Sequence, residues 1–282
     1  MLACRRYLQK SVLVTMAPSK IFIATPAYGG TFHAPCVQGL FKLAVELERR
    51  KWFSDLAMAS YADIAEGRNV LLTHWFDRTD ASHLLFVDAD MGFEPQLIFD
   101  MLDFDKPLVG VVSPKRKIDL DRFAKAIAAG KSVEKAEASA HEFIVQKPSR
   151  GTAHKGFMRV DGCGTGILLV QRACIELMLG KMPEISDSRS SSALSSSKEP
   201  GRLIRAFEFL TVDGMRLSED YSFCYRWREK CGGEVWANVS HEITHVGTRH
   251  FKARYSDAAG GVRIEMPTTV MANPSKIAKH RS

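Results

Sequence analysis

Apolar and polar positions alternate along this chain in two rhythms. Ile21-Phe-Ile-Ala-Thr25, Leu56-Ala-Met-Ala-Ser60, His83-Leu-Leu-Phe-Val87 and Leu108-Val-Gly-Val-Val112 are short apolar runs. Their length and β-branched or aromatic content predict buried strands of the parallel-sheet type. Between them, Val37, Leu40, Phe41, Ala44 and Leu47 recur at helical spacing, with Thr31 placed to cap that helix. Further helices are expected over 65–76 and 94–102. Strand and helix thus alternate through 21–112, which predicts an α/β domain with a mixed, mostly parallel central sheet flanked by helices.

Beyond 112 the rhythm loosens. A helix is expected over 119–140, strands over 157–160 and 166–171, and a helix over 219–230 with Ser218 at its start. A last strand is expected over 235–237. The serine-rich stretch 186–200 has too little apolar surface to join a core and reads as a mobile loop. Residues 1–19 read as an N-terminal extension outside the fold, with Met16 as an alternative start. The first 15 residues have a basic start, but their apolar patch of about four residues is shorter than a signal peptide needs. Residues 20–255 then form one domain, and 256–282, poor in apolar residues, a tail.

Size and composition narrow the class. With 282 residues, 45% hydrophobic and 25% charged, the chain can bury a full core. No apolar run approaches the roughly 18 residues of a membrane span. The net charge of +7 implies a phosphate-bearing substrate or a peripheral contact with an anionic membrane surface. No basic and aromatic stripe marks a nucleic-acid groove. Six cysteines lack C-x-x-C spacing, as expected of reduced thiols in a cytoplasmic protein.

Ligands of such sheets bind outside the carboxyl ends of the strands. Two breaks fall there: Pro26-Ala27-Tyr28-Gly-Gly30 after the first strand, and Asp88-Ala-Asp90 after the third. Two carboxylates one residue apart at the end of a buried strand repel unless a cation neutralises them. A hard divalent ion, Mn²⁺ or Mg²⁺, does so and leaves positions for substrate phosphates.

The order strand-Pro-Ala-Tyr, then Arg68-Asn69 on a helix, then Phe-Val-Asp-Ala-Asp-Met resembles the GT-A fold of nucleotide-sugar glycosyltransferases, with family 2-like features. The Arg68-Asn69 helix is also similar to that of yeast mannan-elongating mannosyltransferases. The resemblance covers most of 21–250. It implies a metal-dependent transfer of a sugar from a UDP- or GDP-linked donor to a hydroxyl on a glycan, lipid or protein acceptor. Pro26, Ala27 and Tyr28 would lie beside the nucleotide, and Arg68 would reach it or its phosphates. Asp88 would face the sugar or ribose and share the metal with Asp90. Gly162-Cys-Gly-Thr-Gly166 would line donor sugar and acceptor through Gly164 and Thr165. Asp220 would be the base that deprotonates the acceptor, with Glu219 orienting it. Ion pairs of Arg68 with Asp63 or Glu66 are the structural alternative for that residue.

His241-Glu-Ile-Thr-His245 matches H-E-x-x-H, the zinc-peptidase pattern. Its β-branched surroundings predict strand or loop, where residues four apart stand about 13 Å from one another, too far to share a zinc ion. The GT-A resemblance instead gives His245 the role of third metal ligand. Two rivals use the same acids: a HAD-type phosphohydrolase with Asp88 as nucleophile, and a non-catalytic nucleotide-sugar-binding protein. The first departs from its own pattern, since Gly92 stands where Thr or Val belongs and the acid pair follows the third strand.

Overall fold

A computed structural model describes residues 20–146, 152–187, 201–249 and 252–253. The expected extension 1–19, most of the serine-rich stretch and the tail lie outside the described residues. Met1–Gly247 and Thr248–Ser282 are separate compact units; the elements below all belong to the first. No helix among the described residues is long and apolar enough to cross a membrane.

The elements follow in chain order as β1 (Lys20–Pro26), α1 (Ala34–Arg49), β2 (Phe53–Ala59), α2 (Ile64–Arg78), β3 (His83–Val87), β4 (Met91–Gly92), α3 (Pro95–Phe104), β5 (Leu108–Val111) and β6 (Ser113–Ile118). Then come α4 (Leu120–Ala128), α5 (Val133–Ala140), β7 (His141–Gln146), β8 (Phe157–Val160), β9 (Gly162–Cys163), β10 (Ile167–Gln171) and α6 (Arg172–Lys181). Two small ladders follow, β11 (Ser186–Asp187) with β12 (Leu203–Ile204) and β13 (Thr211–Val212) with β14 (Met215–Arg216). The unit closes with α7 (Glu219–Tyr225), β15 (Val235–Asn238) and β16 (Thr244–His245).

Seven strands form the central sheet in the order β2-β1-β3-β10-β5-β15-β8. β2, β1, β3, β5 and β15 run one way, while β10 and β8 run against them. The mixed, mostly parallel sheet read from the strand-helix alternation is present. The reversal at β10 delivers the loop before β10 to the carboxyl end of β3.

Strand alternation divides the core. Phe22, Ala24, Leu84 and Phe86 face α2, α6 and α7. Ile21, Ile23, Leu85 and Val87 face α1 and α3. Helix α2 is buried on more than its sheet face, because the segment around Ile204 and Phe207 lies over its polar side. The Ile204 and Phe207 amides donate to Thr73 Oγ1 and Asn69 Oδ1, both at 2.9 Å. This covering buries Arg68 on the same helix.

Three local expectations change. His33, not Thr31, precedes α1, and its side chain makes no cap; Pro35 sits in the first turn, where its missing N–H costs nothing. The expected helix over 119–140 is two, α4 and α5, broken at Gly130 with φ of 79°. The helix over 219–230 is regular only to Tyr225, and Arg226–Lys230 is wound more widely, as a π-helical turn. Cys36, Cys163, Cys174 and Cys224 are free, buried thiols.

Candidate functional site

β3 ends at Val87, and the alternation of its side chains carries into the acid pair. Asp88 falls on the face of Phe86, toward α2. There Arg68 meets it with a two-pronged fork: Nη1 to Oδ1 and Nη2 to Oδ2, each 2.9 Å. Arg68 is buried, and its guanidinium lies 5.7 Å above the Phe86 ring. Burial alone would lower its pKa, but Asp88, with Glu219 and Asp220, outweighs this and raises it. Neither neighbour expected as the structural alternative takes Arg68. Asp63 caps α2, accepting from the amides of Ala65 and Glu66, and Glu66 pairs with Arg205.

A tight turn then separates the two acids. The Met91 amide donates to the Asp88 carbonyl at 3.0 Å, and the Val246 amide to the Asp90 carbonyl at 2.9 Å. Asp90 is thereby turned toward β16, which pairs with β4 through Thr244↔Gly92 and His245↔Met91. Gly92 permits this pairing: a Cβ there would stand 2.6 Å from Pro35 Cβ and 3.1 Å from Thr244 Cβ. His245 Nε2 lies 3.4 Å from Asp90 Oδ2. His245 Nδ1 lies 2.8 Å from the Pro114 carbonyl oxygen. A carbonyl only accepts, so Nδ1 carries a proton and Nε2 is the nitrogen presented to Asp90. The Asp90 hydrogen bond raises the His245 pKa, with burial opposing and Pro114 assisting. Burial pushes Asp90 up, but His245 and Arg116 more than reverse it and hold Asp90 below the ordinary range.

His241 does not join His245. Its Nε2 sits 2.7 Å from Asp100 Oδ2 on α3, and Glu242 is exposed. The peptidase pattern is thus split between two separate partners.

Across the loop before β10, the Asp88 amide donates to the Gly166 carbonyl at 2.8 Å. Gly164 lies between Ile144 and Asp220; a Cβ there would be 3.1 Å from Ile144 Cγ2 and 3.7 Å from Asp220 Oδ2. Asp220 Oδ1 accepts from the Ser218 hydroxyl and, at 2.8 Å, from the Tyr221 amide. Ser218 therefore precedes α7 as expected, but its hydroxyl serves Asp220 and makes no helix cap. Glu219 Oε1 stands 3.7 Å from Arg68 Nε. Burial raises the Glu219 pKa, Arg68 opposes, and Asp220 and Asp88 add to the rise. Thr165 Oγ1 and Arg68 Nε are buried without a hydrogen-bond partner among the described residues.

An aromatic chain fixes these parts relative to one another. Phe86 on β3 meets Phe207 edge-on at 5.4 Å, and Phe207 stacks on Phe223 of α7 at 4.4 Å. Each such contact contributes about 0.5–1.5 kcal/mol beyond burial. Pro26 and Ala27 close β1 beside Asp88's strand, with the Ala27 amide on the Ala59 carbonyl at 2.9 Å. Tyr28 projects from that end, 79% exposed.

Among the described residues, no three His, Cys, Asp or Glu side chains gather as a metal-binding group. Asp88, expected to share the metal, accepts from Arg68 on both oxygens. Asp90 and His245, whose tautomer is set by a backbone carbonyl, stand together beside it. A carboxylate and an imidazole are groups that could hold a divalent ion.

Arg116 on β6 is the site residue that the sequence reading missed. Its Nη1 donates to Asp90 Oδ2 at 3.1 Å. The run Lys115-Arg116-Lys117 after the β5 strand was a visible signal, but its target lay 26 residues away.

No protein-family model matches the chain, and none of the curated proteins matches it. Among solved structures, A197 from STIV is similar with a TM-score of 0.43 and 14% identity, over 82% of this chain and 86% of that one. GalNAc-T7 with UDP, GalNAc and Mn²⁺ is similar with a TM-score of 0.42 and 7% identity, over 80% of this chain and 43% of that one. A mutant Drosophila β1,4-galactosyltransferase 7 in complex with manganese, UDP-Gal and xylobiose gives 0.38 and 13%, over 88% and 82%. Such likenesses concern the course of the backbone and say nothing of substrate.

Proposed function

We propose that the protein is a metal-dependent glycosyltransferase of the GT-A type, moving a sugar from a nucleoside-diphosphate donor to a hydroxyl acceptor. The observation that carries this reading is the division of the acid pair. Asp88 is locked to a buried arginine, while Asp90 faces Nε2 of an imidazole whose Nδ1 is tied to the Pro114 carbonyl.

In this reading Asp90 and His245 hold Mn²⁺ or Mg²⁺. Bound there, the ion would neutralise charge growing on the departing diphosphate. The chain's own residues do the rest. Pro26, Ala27 and Tyr28 frame the nucleotide, with the exposed Tyr28 ring offering a stacking face. Arg68 holds Asp88 in place, so that its carboxylate can accept from a ribose or sugar hydroxyl. Gly164 and Thr165 line the sugar. Asp220 Oδ2, the oxygen turned to Gly164, takes the proton of the acceptor hydroxyl as it attacks. Glu219 orients that hydroxyl or the Arg68 head. A carboxylate base in this role goes with inversion at the anomeric carbon.

Two features weigh against the phosphohydrolase. A nucleophilic Asp88 would be weakened by the two hydrogen bonds that Arg68 donates to its oxygens. Gly92, at that family's Thr or Val position, packs too tightly against Pro35 for a side chain.

A panel of nucleotide sugars, scored by thermal stabilisation with and without Mn²⁺, tests the reading. A UDP- or GDP-sugar should raise the melting temperature only with Mn²⁺, and Asp90→Ala should abolish the rise. Absence of any shift across the panel would sink it.

A further inference from the structure

Asp90 Oδ2 is claimed twice. Arg116 Nη1 is 3.1 Å from it and His245 Nε2 is 3.4 Å from it. On the proposed function, which this inference rests on, that oxygen is the one a divalent ion would share with His245. We infer that Arg116 is a cationic placeholder on Asp90, which withdraws when the metal binds and then faces the donor diphosphate.

The geometry supplies each part. Asp90 is partly buried, and leaving it without a cation is costly. A metal ion and a guanidinium cannot both occupy one carboxylate oxygen without strong repulsion. That repulsion favours parting them, and Arg116 is the one that can withdraw: its side chain is 56% exposed, so swinging away loses little burial. Its root does not move with it. β6 also carries Pro114, whose carbonyl holds His245 Nδ1, so the strand that releases the arginine keeps the histidine aimed. The stem of Arg116 lies over Gly247, where a Cβ would come within 2.8 Å of Arg116 Cδ and 2.9 Å of its Cβ. That close approach is the physical use of the glycine two residues after His245. Neighbouring Lys115 is held by Glu142 at 2.9 Å and is not an equivalent substitute.

The consequence is coupling. Without donor, Arg116 competes with the metal. With donor, the diphosphate takes up the arginine's charge, leaving Asp90 to the metal. Metal and nucleotide therefore bind cooperatively through one side chain.

Mn²⁺ binding, followed by the paramagnetic resonance of the free ion, tests this without turnover. Arg116→Gln should bind Mn²⁺ about fivefold tighter than wild type in the absence of nucleotide, the scale of an exposed ion pair. Adding UDP or GDP should reverse the order, with wild type the tighter. Arg116→Lys should lie between, and raising the salt should narrow the gap. Gly247→Ala, which pushes the arginine stem aside, should mimic Arg116→Gln. If Arg116→Gln binds Mn²⁺ no tighter than wild type without nucleotide, while Asp90→Asn loses binding, the placeholder is wrong and the metal site stands. If wild type and Arg116→Gln both fail to bind Mn²⁺ even with nucleotide, the proposed function fails first.

Discussion

Arg68 and Asp88, twenty residues apart in sequence, meet in a two-pronged ion pair at 2.9 Å on each arm, with the arginine buried and the aspartate at the mouth of the site. Arg68→Met would leave the Asp88 charge uncompensated beside an apolar core. The expected loss of stability is about 2–4 kcal/mol, since breaking a buried pair costs more than the pair contributes. Arg68→Lys should recover only part of this, because an ammonium cannot make the fork. Urea titration of the variants measures both; equal stability of Arg68→Met and wild type would contradict the structure.

Glu219 predicts a pH dependence. Its folded pKa is raised, chiefly by burial, above that of the unfolded chain. The folded state therefore holds this proton more tightly, and that contribution is complete below the unfolded value, ordinarily near 4.5. It is lost as pH rises through the folded pKa. Glu219→Gln keeps the uncharged form at every pH. Its melting temperature should match that of wild type in mild acid and exceed it at neutral pH. A constant difference across that range would show that Glu219 is not strained by ionisation.

Gly92 tests how His245 is brought to Asp90. Gly92→Ala places a methyl group 2.6 Å from Pro35 Cβ. The overpacking should cost about 1–3 kcal/mol and loosen the β4–β16 ladder. Mn²⁺ affinity in the presence of nucleotide should fall as well, although residue 92 contacts no ligand. Unchanged affinity in the Gly92→Ala variant would mean that the ladder does not position His245.

Asp220→Asn separates binding from chemistry. Losing a general base lowers turnover by about 10²–10⁴-fold, while donor and metal binding should stay near wild type. Glu242→Gln, at an exposed position, should change neither. Comparable activity of Asp220→Asn and wild type would remove Asp220 from the base role, as expected of a retaining mechanism.

Much of the fold was legible because its signals are local. The apolar runs at 21–25, 83–87 and 108–112 became central strands within a residue or two. Their order along the sheet was not legible, because the reversal at β10 is a choice among partners far away in sequence. The site was legible in proportion to how local its chemistry is. Asp88-Ala-Asp90 announced itself as a pair on a strand end. That the two acids turn to opposite sides follows from strand alternation into Asp88 and a turn held by the Asp88 carbonyl, which no motif records. His245 entered as a candidate through the GT-A resemblance, by its position after the acidic helix, and it lies beside Asp90; Pro114, which sets its tautomer, offers only a backbone oxygen and leaves no trace in side-chain chemistry. Arg116 stood in an obvious basic run whose partner only tertiary register could reveal. The break in the expected 119–140 helix was visible as Gly130, within an alanine- and lysine-rich stretch whose propensity favoured continuing.

The most direct test is to crystallise the protein with Mn²⁺ and a nucleoside diphosphate and to measure anomalous scattering at the manganese edge. A peak bridging Asp90 Oδ2 and His245 Nε2, within ordinary coordination distance of both and adjoining the diphosphate, is the predicted result. A peak at Asp88 with Arg68 displaced, a peak at His241 and His245 together, or nucleotide bound with no peak at all would contradict a metal-dependent transferase centred on Asp90.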